Sequence, residues 1–313
     1  MIKSKTDIPI ITIQGPTAVG KSSLALKIAE ELSTEIISAD SRQVYKYLDI
    51  GTSKPTKEEQ ELIKHHLIDI VYPNEEYNAG MFIKDAEPII TGLYEKKKIP
   101  LIVGGTGFYI KSLLEGLVEI PDIPKSIRNE FEKIAEEKGA DNIHEHLKNI
   151  DPYAAKRIEK NDVQKMLRAI EVWEFTGKPI SQFWKEQKTE NKYNVFNILL
   201  TEKREILYQR IEQRVDKMMK KGLLEEVKEL LKKGYKESDP GLITVGYREF
   251  YPYLKKEKNL DDCISLVKQN TRNYAKRQFT WFRKIDFDLT LPANDIKFYD
   301  IIELLKDFGN AGS

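Results

Sequence analysis

One glycine-rich loop near the N-terminus constrains the fold of this chain more than any other feature. The pattern G-x-x-x-x-G-K-[ST] is matched in full by Gly15, Pro16, Thr17, Ala18, Val19, Gly20, Lys21 and Ser22. An apolar strand pattern at residues 8–14 precedes the loop, and residues 22–32 repeat apolar side chains at helical spacing. A strand, this loop and a helix, in that order, predict a P-loop at one end of a parallel sheet.

The loop predicts a binding site for a diphosphate or a triphosphate. Its glycines let successive backbone N–H groups turn towards phosphate oxygens, and the helix N-terminus adds partial positive charge. Lys21 supplies a full charge, and the Ser22 hydroxyl is a candidate ligand for Mg²⁺. We therefore predict that residues 15–22 bind a diphosphate, although the motif does not say which molecule carries it.

Strand and helix patterns alternate along most of the remaining chain. Apolar runs at residues 35–39, 100–103, 195–200 and 287–291 are typical of buried strands, whereas residues 119–194 show charge-rich helical patterns and no strand. We predict an α/β fold, a P-loop NTPase-like parallel sheet with helices on both faces, plus an inserted all-helical domain. Residues 1–118 and 195–313 would form the core, with a basic C-terminal helix, and residues 119–194 the insertion. We also expect Pro88 to kink or split a helix over 81–97, and the tail at 309–313 to fray.

Composition excludes several classes of protein. The single cysteine, Cys263, cannot form an internal disulfide or a multi-cysteine zinc site, and it suits a reducing cytosol. No run approaches the about 18 apolar residues of a membrane span, so we expect a cytoplasmic protein with no membrane partner. Because the net charge is only +1, any nucleic acid must bind to local basic patches. We interpret the four histidines as structural or surface residues.

A carboxylate follows the second predicted strand. Asp40 comes directly after residues 35–39, at the edge of a parallel sheet where ligands bind. It could act as a general base, bind Mg²⁺ or cap a loop, and the pattern alone leaves these alternatives open. The third strand instead runs into Gly104, Gly105 and Thr106 without an acid, which argues against a motor ATPase.

Two basic regions are candidates for contact with phosphate or RNA. Residues 268–285 contain six basic side chains, four aromatic ones and no acid, so they could hold RNA phosphates while rings stack on bases. A helix with a solvated basic face is the alternative. Arg210 and Arg214 lie one turn apart on a predicted helix, and either could reach a phosphate or pair with a glutamate.

Eight short segments, in order along nearly the whole chain, resemble the bacterial tRNA dimethylallyltransferases. They are GPTAVGKS at 15–22, SADSRQVY at 38–45, DIGTSKP at 49–55, VGGTGFY at 103–109, QKMLR at 164–168, RIEQR at 210–214, TVGYRE at 244–249 and KRQFTW at 276–281. Each segment is weak alone, but together and at these spacings they are very specific. The zinc finger of the eukaryotic members is not expected in a chain with one cysteine.

The resemblance implies two substrates and a role for several residues. The loop would hold dimethylallyl diphosphate, and the acceptor would be N6 of the adenosine immediately 3′ of the anticodon in tRNAs reading codons that begin with U. Asp40 would act as the base, while Thr106 and Arg214 would stabilise the leaving diphosphate together with the loop and Mg²⁺ on Ser22. The alternatives are a prenyltransferase acting on free adenine nucleotide and a small-molecule P-loop kinase.

The resemblance also implies binding of a tRNA anticodon stem-loop, with the helical insertion against the stem, and we expect the protein to be a monomer. The tRNA contacts implied by the resemblance are Asp40, Ser41, Arg42, Gln43, Thr106, Arg128, Gln164, Lys165, Met166, Leu167, Arg168, Gly246, Tyr247, Arg248, Lys276, Arg277, Gln278, Trp281 and Arg283.

Overall fold

The computed structural model describes residues 8–187 and 192–311, which form two compact units. The first unit comprises the chain up to Glu115 and the chain from Asn191 onward, and the second comprises Gly116–Glu190. The predicted insertion ends at residue 194. In the structure, Tyr193 packs in the core of the first unit, and a strand of that unit begins at Asn194.

The first unit is built on a parallel sheet, as predicted. Its strands are β1 Pro9–Gln14, β2 Ile36–Ser38, β3 His65–His66, β4 Leu101–Gly104, β5 Asn194–Thr201 and β6 Leu289–Pro292. They lie in the order β3-β2-β4-β1-β5-β6, and every neighbouring pair is parallel. Of these six strands, β3 alone was not predicted, because its two half-buried histidines give no apolar pattern.

Helices cover both faces of this sheet. Alternate residues of β1 turn to opposite faces, so Ile10 belongs to one buried cluster with Phe82, and Ile11 to another with Leu24 and Ile28. A 3-10 helix lies at Arg248–Phe250. The α-helices of this unit are α1 Lys21–Glu31, α2 Lys57–Leu62, α3 Ala79–Glu95, α4 Gly107–Glu115, α9 Arg204–Lys220, α10 Leu223–Lys232, α11 Tyr251–Leu254, α12 Leu260–Phe282 and α13 Phe298–Ala311.

The predicted split at Pro88 and the predicted fraying from residue 309 are wrong, whereas a kink at Pro88 stays a prediction. Pro88 does not split α3, because the buried apolar side chains Phe82, Ala86 and Ile90 continue at helical spacing on both sides of the proline. The tail does not fray from residue 309, because α13 continues to Ala311. Residues 312 and 313 lie outside the described part of the chain.

Within its described residues, 116–187, the second unit contains helices and no strand, and non-helical backbone at Gly139 interrupts its longest helix. It contains α5 Lys125–Ile150, α6 Pro152–Arg157, α7 Val163–Thr176 and α8 Ile180–Glu186. Apolar side chains of α5 and α7 form its core, and the buried Asp151 carboxylate accepts from Ala154 N and Ser181 N, which ties α6 to α8. In the described parts of both units, no helix has the length and apolar character to cross a membrane.

An ion-pair cluster beside β2 and β3 offers a test of stability. Glu35 accepts a hydrogen bond from Lys98 Nζ at 2.9 Å, and His66 Nε2 lies 2.7 Å from its other oxygen. Burial raises the pKa of Glu35, but these two partners outweigh that effect and lower the pKa to about 2. The charged carboxylate therefore stabilises the fold above the unfolded-state pKa of about 4.3, and this contribution is lost as the pH falls towards 2.

We expect Glu35→Gln to lower the free energy of unfolding by roughly 1–2 kcal/mol at neutral pH. The difference from the unaltered protein should shrink between about pH 4 and about pH 2, where the carboxylate becomes protonated. Urea unfolding followed by circular dichroism at several pH values measures both effects. The exposed Glu30→Gln in α1 is the matched control, and an equal loss at every pH would contradict the ion-pair explanation.

Candidate active site

The P-loop connects β1 to α1 and leaves the start of the helix open to a ligand. Gly15 must be a glycine, because a Cβ there would collide with the carbonyl oxygen of Leu200 on β5. Gly20 precedes α1 with a φ of 110°, and no side chain caps the first turn. The N–H groups of that turn therefore favour an anion at this end of the helix.

Lys21 is held by the loop itself. Its Nζ donates to the carbonyl oxygens of Gly15 and Pro16, each at 2.9 Å. Burial lowers the pKa of Lys21 to about 8, which the Asp40 carboxylate partly offsets and the Arg214 guanidinium reinforces. A phosphate bound beside the ammonium group would raise this pKa and keep the side chain charged.

A cavity of about 300 Å³ lies against the loop. Lys21, Arg210 and Arg214 bring three cationic side chains to its wall. Arg210 is anchored by Glu202 at 3.0 Å, whereas Nη1 of Arg214 lies 3.5 Å from the Thr17 hydroxyl. Three cations beside a glycine-rich loop suit a ligand with the charge of a diphosphate.

Asp40 follows β2 and lines the same cavity, as predicted for the edge of the sheet. Its Oδ1 accepts from Arg42 N at 2.8 Å and from Gln43 N at 3.4 Å, so the carboxylate also caps its own loop. Among the described residues, no hydrogen bond reaches Oδ2. One oxygen is therefore held in place while the other can accept a proton from a ligand.

A second cavity, of about 270 Å³, adjoins the first. Five residues line both cavities, namely Thr17, Asp40, Thr52, Arg214 and Tyr274. The walls of the second cavity also include Ser41, Arg42, Gly51, Gly246, Arg248 and Arg277. Because Asp40 belongs to both walls, a ligand in either cavity can approach its carboxylate.

Thr106 lies outside the walls of both cavities. Its Oγ1 accepts from Ser41 N at 3.0 Å and lies 3.4 Å from Ser41 Oγ. The hydroxyl therefore joins the loop after β4 to the loop after β2. Its contact with a leaving group stays a prediction.

Gln278 on α12 is turned into the protein. It is 6% exposed, accepts from Thr17 N at 2.8 Å and donates to Gly105 O at 2.9 Å. This amide joins the P-loop to the loop after β4, so Gln278 shapes the first cavity, and its contact with RNA stays a prediction. Trp281 also packs inward, edge-on to Phe108.

Some of the predicted RNA contacts in the last third of the chain have exposed side chains, and others are buried. Lys276, Arg277 and Arg283 are exposed, and Arg277 lies over the Tyr274 ring at 5.7 Å. Tyr247, in contrast, is fully buried. Its side chain therefore shapes the fold and cannot touch RNA, which corrects the expectation for this residue.

The segment 164–168 in the helical unit presents both polar and apolar side chains. Gln164 and Lys165 are exposed, whereas Met166 and Leu167 are buried in the apolar core of this unit. Because α7 turns these two apolar side chains inward, they support the helix and do not reach a ligand. The prediction of direct tRNA contact through Met166 and Leu167 is corrected accordingly.

Arg128 and Arg168 both lie near the Glu171 carboxylate, which was not among the predicted site residues. Glu171 is 2% exposed and lies 3.7 Å from Arg128 Nε and 3.2 Å from Arg168 Nη1. Arg128 also pairs with Glu132 at 2.9 Å. The spacing of three residues between Arg168 and Glu171 on one helix was the available signal.

Several wall residues were not predicted as site residues, and Gly51, Thr52 and Tyr274 are among them. Gly51 and Thr52 belong to the segment DIGTSKP, whose match to the family carries no role by itself. Tyr274 stands among the aromatic residues of the basic stretch, and only the structure shows that it lines both cavities. Burial raises the pKa of Tyr274 to about 12, so its hydroxyl is a stable hydrogen-bond donor at the meeting point of the cavities.

The residues present fit Mg²⁺ bound together with a diphosphate. Within residues 8–187 and 192–311, no group of three or more His, Cys, Asp or Glu side chains could hold a metal ion alone. Ser22 and Asp40 both line the first cavity beside the loop. Since Mg²⁺ usually keeps waters and phosphate oxygens, one or two such protein ligands suffice.

Comparisons with known proteins agree on one family. The IPP transferase family matches residues 43–285, and the isopentenyl transferase family matches residues 8–76. A tRNA dimethylallyltransferase of Caldanaerobacter subterraneus is 45% identical over 298 residues, which cover 94% of each chain. One of Carboxydothermus hydrogenoformans is 48% identical over 278 residues, which cover 88% of this chain and 89% of the relative.

Solved structures share the fold. The tRNA isopentenylpyrophosphate transferase of Bacillus halodurans matches with a TM-score of 0.72 at 35% identity, covering 98% of both chains. A eukaryotic dimethylallyltransferase acting on tRNA matches with a TM-score of 0.80 at 32% identity. That match covers 96% of this chain and 77% of the other.

The P-loop sheet, its cationic cavity and these similarities define the class of this protein, a prenyl-transferring enzyme. Within that class, the chain belongs to the IPP transferase family, whose curated relatives are named tRNA dimethylallyltransferase.

The pKa of Lys21 predicts a pH step in ligand binding. In the protein without ligand this pKa is about 8, and a bound diphosphate would raise it. Between the two pKa values, binding therefore takes up a proton, and the affinity falls as the pH rises through this range. Calorimetric titration with dimethylallyl diphosphate, in buffers of different ionisation enthalpy at about pH 7 and about pH 9, measures the uptake.

Lys21→Arg is the matched control, since a guanidinium stays charged over this range. Its proton uptake near pH 9 should disappear even if its affinity changes. The same uptake in both proteins would assign the titration to another group.

Proposed function

We propose that this enzyme transfers the dimethylallyl group of dimethylallyl diphosphate to N6 of the adenosine 3′-adjacent to the anticodon in tRNAs reading UNN codons. The products are N6-(dimethylallyl)adenosine and diphosphate. The observation that carries the proposal is the pair of adjoining cavities, with Thr17, Asp40 and Arg214 in both walls. The names of the relatives support the same reaction.

The first cavity receives the diphosphate. The P-loop N–H groups and the charges of Lys21, Arg210 and Arg214 surround the region where negative charge grows as the C1–O bond breaks. The Ser22 hydroxyl would hold Mg²⁺, which would supply further positive charge for the leaving group. The bonding electrons of C1–O depart with the diphosphate, which leaves the allylic carbon as the electrophile.

The second cavity receives the adenine. Its N6 amine is a weak nucleophile, because the lone pair is delocalised into the ring. Oδ2 of Asp40 accepts the N6 proton as the N6–C1 bond forms, and Oδ1 stays anchored by Arg42 N and Gln43 N. An unpaired loop nucleotide reaches such a cavity at lower cost than one in a duplex.

RNA is favoured over a free nucleotide by the distribution of basic side chains. Lys276, Arg277 and Arg283 are exposed, and Arg277 also lines the second cavity. In the helical unit, Gln164 and Lys165 are exposed and suit contact with the phosphate backbone of the anticodon stem. We propose that a monomer binds one stem-loop in this way.

Asp40→Asn is expected to lower the rate of transfer about 100- to 10,000-fold, because an amide cannot accept the proton from N6. Binding of the diphosphate should change far less, since the asparagine oxygen can keep the bonds to the loop. Mass spectrometry of a synthetic anticodon stem-loop, incubated with Mg²⁺ and dimethylallyl diphosphate, follows the gain of one C5H8 group. Asp261→Asn, an exposed substitution at the start of α12, is the control.

The same assay separates the alternative acceptors. AMP as a parallel acceptor tests the free-nucleotide reaction, and turnover of ATP tests the kinase reaction. Modification of AMP without modification of the stem-loop would contradict the proposal, as would full activity of Asp40→Asn.

A further inference from the structure

Glu226 on α10 accepts hydrogen bonds from three consecutive backbone N–H groups of one loop. Its carboxylate accepts from Asp49 N at 3.1 Å, Ile50 N at 2.9 Å and Gly51 N at 3.3 Å. Successive N–H groups that converge on one anion form the concavity called a nest. Because the anion here is a side chain of the same protein, the nest fixes the loop.

The same carboxylate also holds a second segment. The Tyr247 hydroxyl donates to Glu226 Oε1 at 2.6 Å. The buried Tyr247 ring lies so close to Gly51 that a Cβ on Gly51 would collide with it. Burial and the neighbouring Glu226 raise the pKa of Tyr247 well above its ordinary value, so the hydroxyl stays protonated and continues to donate.

Both segments that meet at Glu226 form walls of the second cavity. Gly51 comes from the first segment, and Gly246 and Arg248, on either side of Tyr247, come from the second; these three line the second cavity alone, whereas Thr52 lines both cavities. Glu226 itself lines neither cavity. Its effect on a ligand must therefore pass through the two walls that it joins.

We propose that Glu226 is a positioning residue that sets the shape of the acceptor cavity by holding the loop at 49–52 against Tyr247. The inference rests on the proposed function, in which the second cavity receives the adenine of the RNA. A wall that is fixed before the acceptor arrives reduces the ordering that binding requires. Of all the substrates, the RNA acceptor should therefore depend most on this carboxylate.

The test compares the KM values of the two substrates. Glu226→Gln removes the charge, leaves one acceptor oxygen in place of two and turns an NH₂ group towards N–H donors. We expect the KM for the stem-loop to rise about tenfold and the KM for dimethylallyl diphosphate to stay within about twofold. Amide hydrogen exchange at residues 49–51 should become faster in the same variant, which reports the loosened loop directly.

Tyr247→Phe removes only one hydroxyl, so it carries the same test if Glu226→Gln does not fold. Its smaller rise in KM should not add to that of Glu226→Gln in the double variant, because both act through one carboxylate. Glu229→Gln, an exposed change one turn along α10, is the matched control and should alter neither KM.

Two outcomes would overturn the inference. The first is a stem-loop KM that does not change in Glu226→Gln, and the second is an equal rise in both KM values, which would indicate a general loss of structure. A lack of RNA transfer by the unaltered protein and by Glu229→Gln would instead overturn the proposed function, and with it the acceptor role of the cavity.

Discussion

Parallel pairing of β2, β4 and β1 is the constraint on which the site depends. In the register of the sheet, Ile37 lies beside Ile102 and Ile13 beside Val103, so the three strands end at the same edge. That edge brings together the P-loop, Asp40 and the loop carrying Thr106, which are far apart in the sequence. The side chain of Gln278 then links two of these loops from α12.

The charges at this edge are balanced for an anionic ligand. Burial lowers the pKa of both Lys21 and Arg214, and the Asp40 carboxylate opposes this effect at both groups. A bound diphosphate carries more negative charge than one carboxylate and would become the main partner of the two cations.

The sequence predicted the parts of the site that follow strands, and it failed for residues defined by packing. The P-loop, Asp40 and Arg214 were found because a motif, a strand end and a helix turn place them. Met166 and Tyr247 lie in segments similar to the family, yet both are buried, because a linear motif does not distinguish a contact from its support.

The fold shows the same division. Apolar runs that alternate with helical patterns predicted the parallel sheet. β3 was missed because its two residues pair with β2 without forming an apolar run. Glu171 and Glu226 were also missed. The Arg168–Glu171 spacing was a weak signal on one helix, whereas Glu226 resembles an ordinary surface glutamate of a charged helix. Their partners come from tertiary contacts: Arg128 lies in another helix, and the nest at residues 49–51 is distant in the chain.

In the proposed reaction, two adjoining cavities hold the two substrates at once, with Asp40 in both walls. The most direct measurement is the affinity of the anticodon stem-loop with and without a saturating, unreactive thio analogue of dimethylallyl diphosphate. Two joined but separate cavities predict that the stem-loop still binds, with unchanged or tighter affinity, in a complex containing both ligands. The contrary result is an apparent Kd for the stem-loop that rises in proportion to the analogue concentration. It would show that both ligands compete for one cavity, and it would rule out two separate substrate cavities.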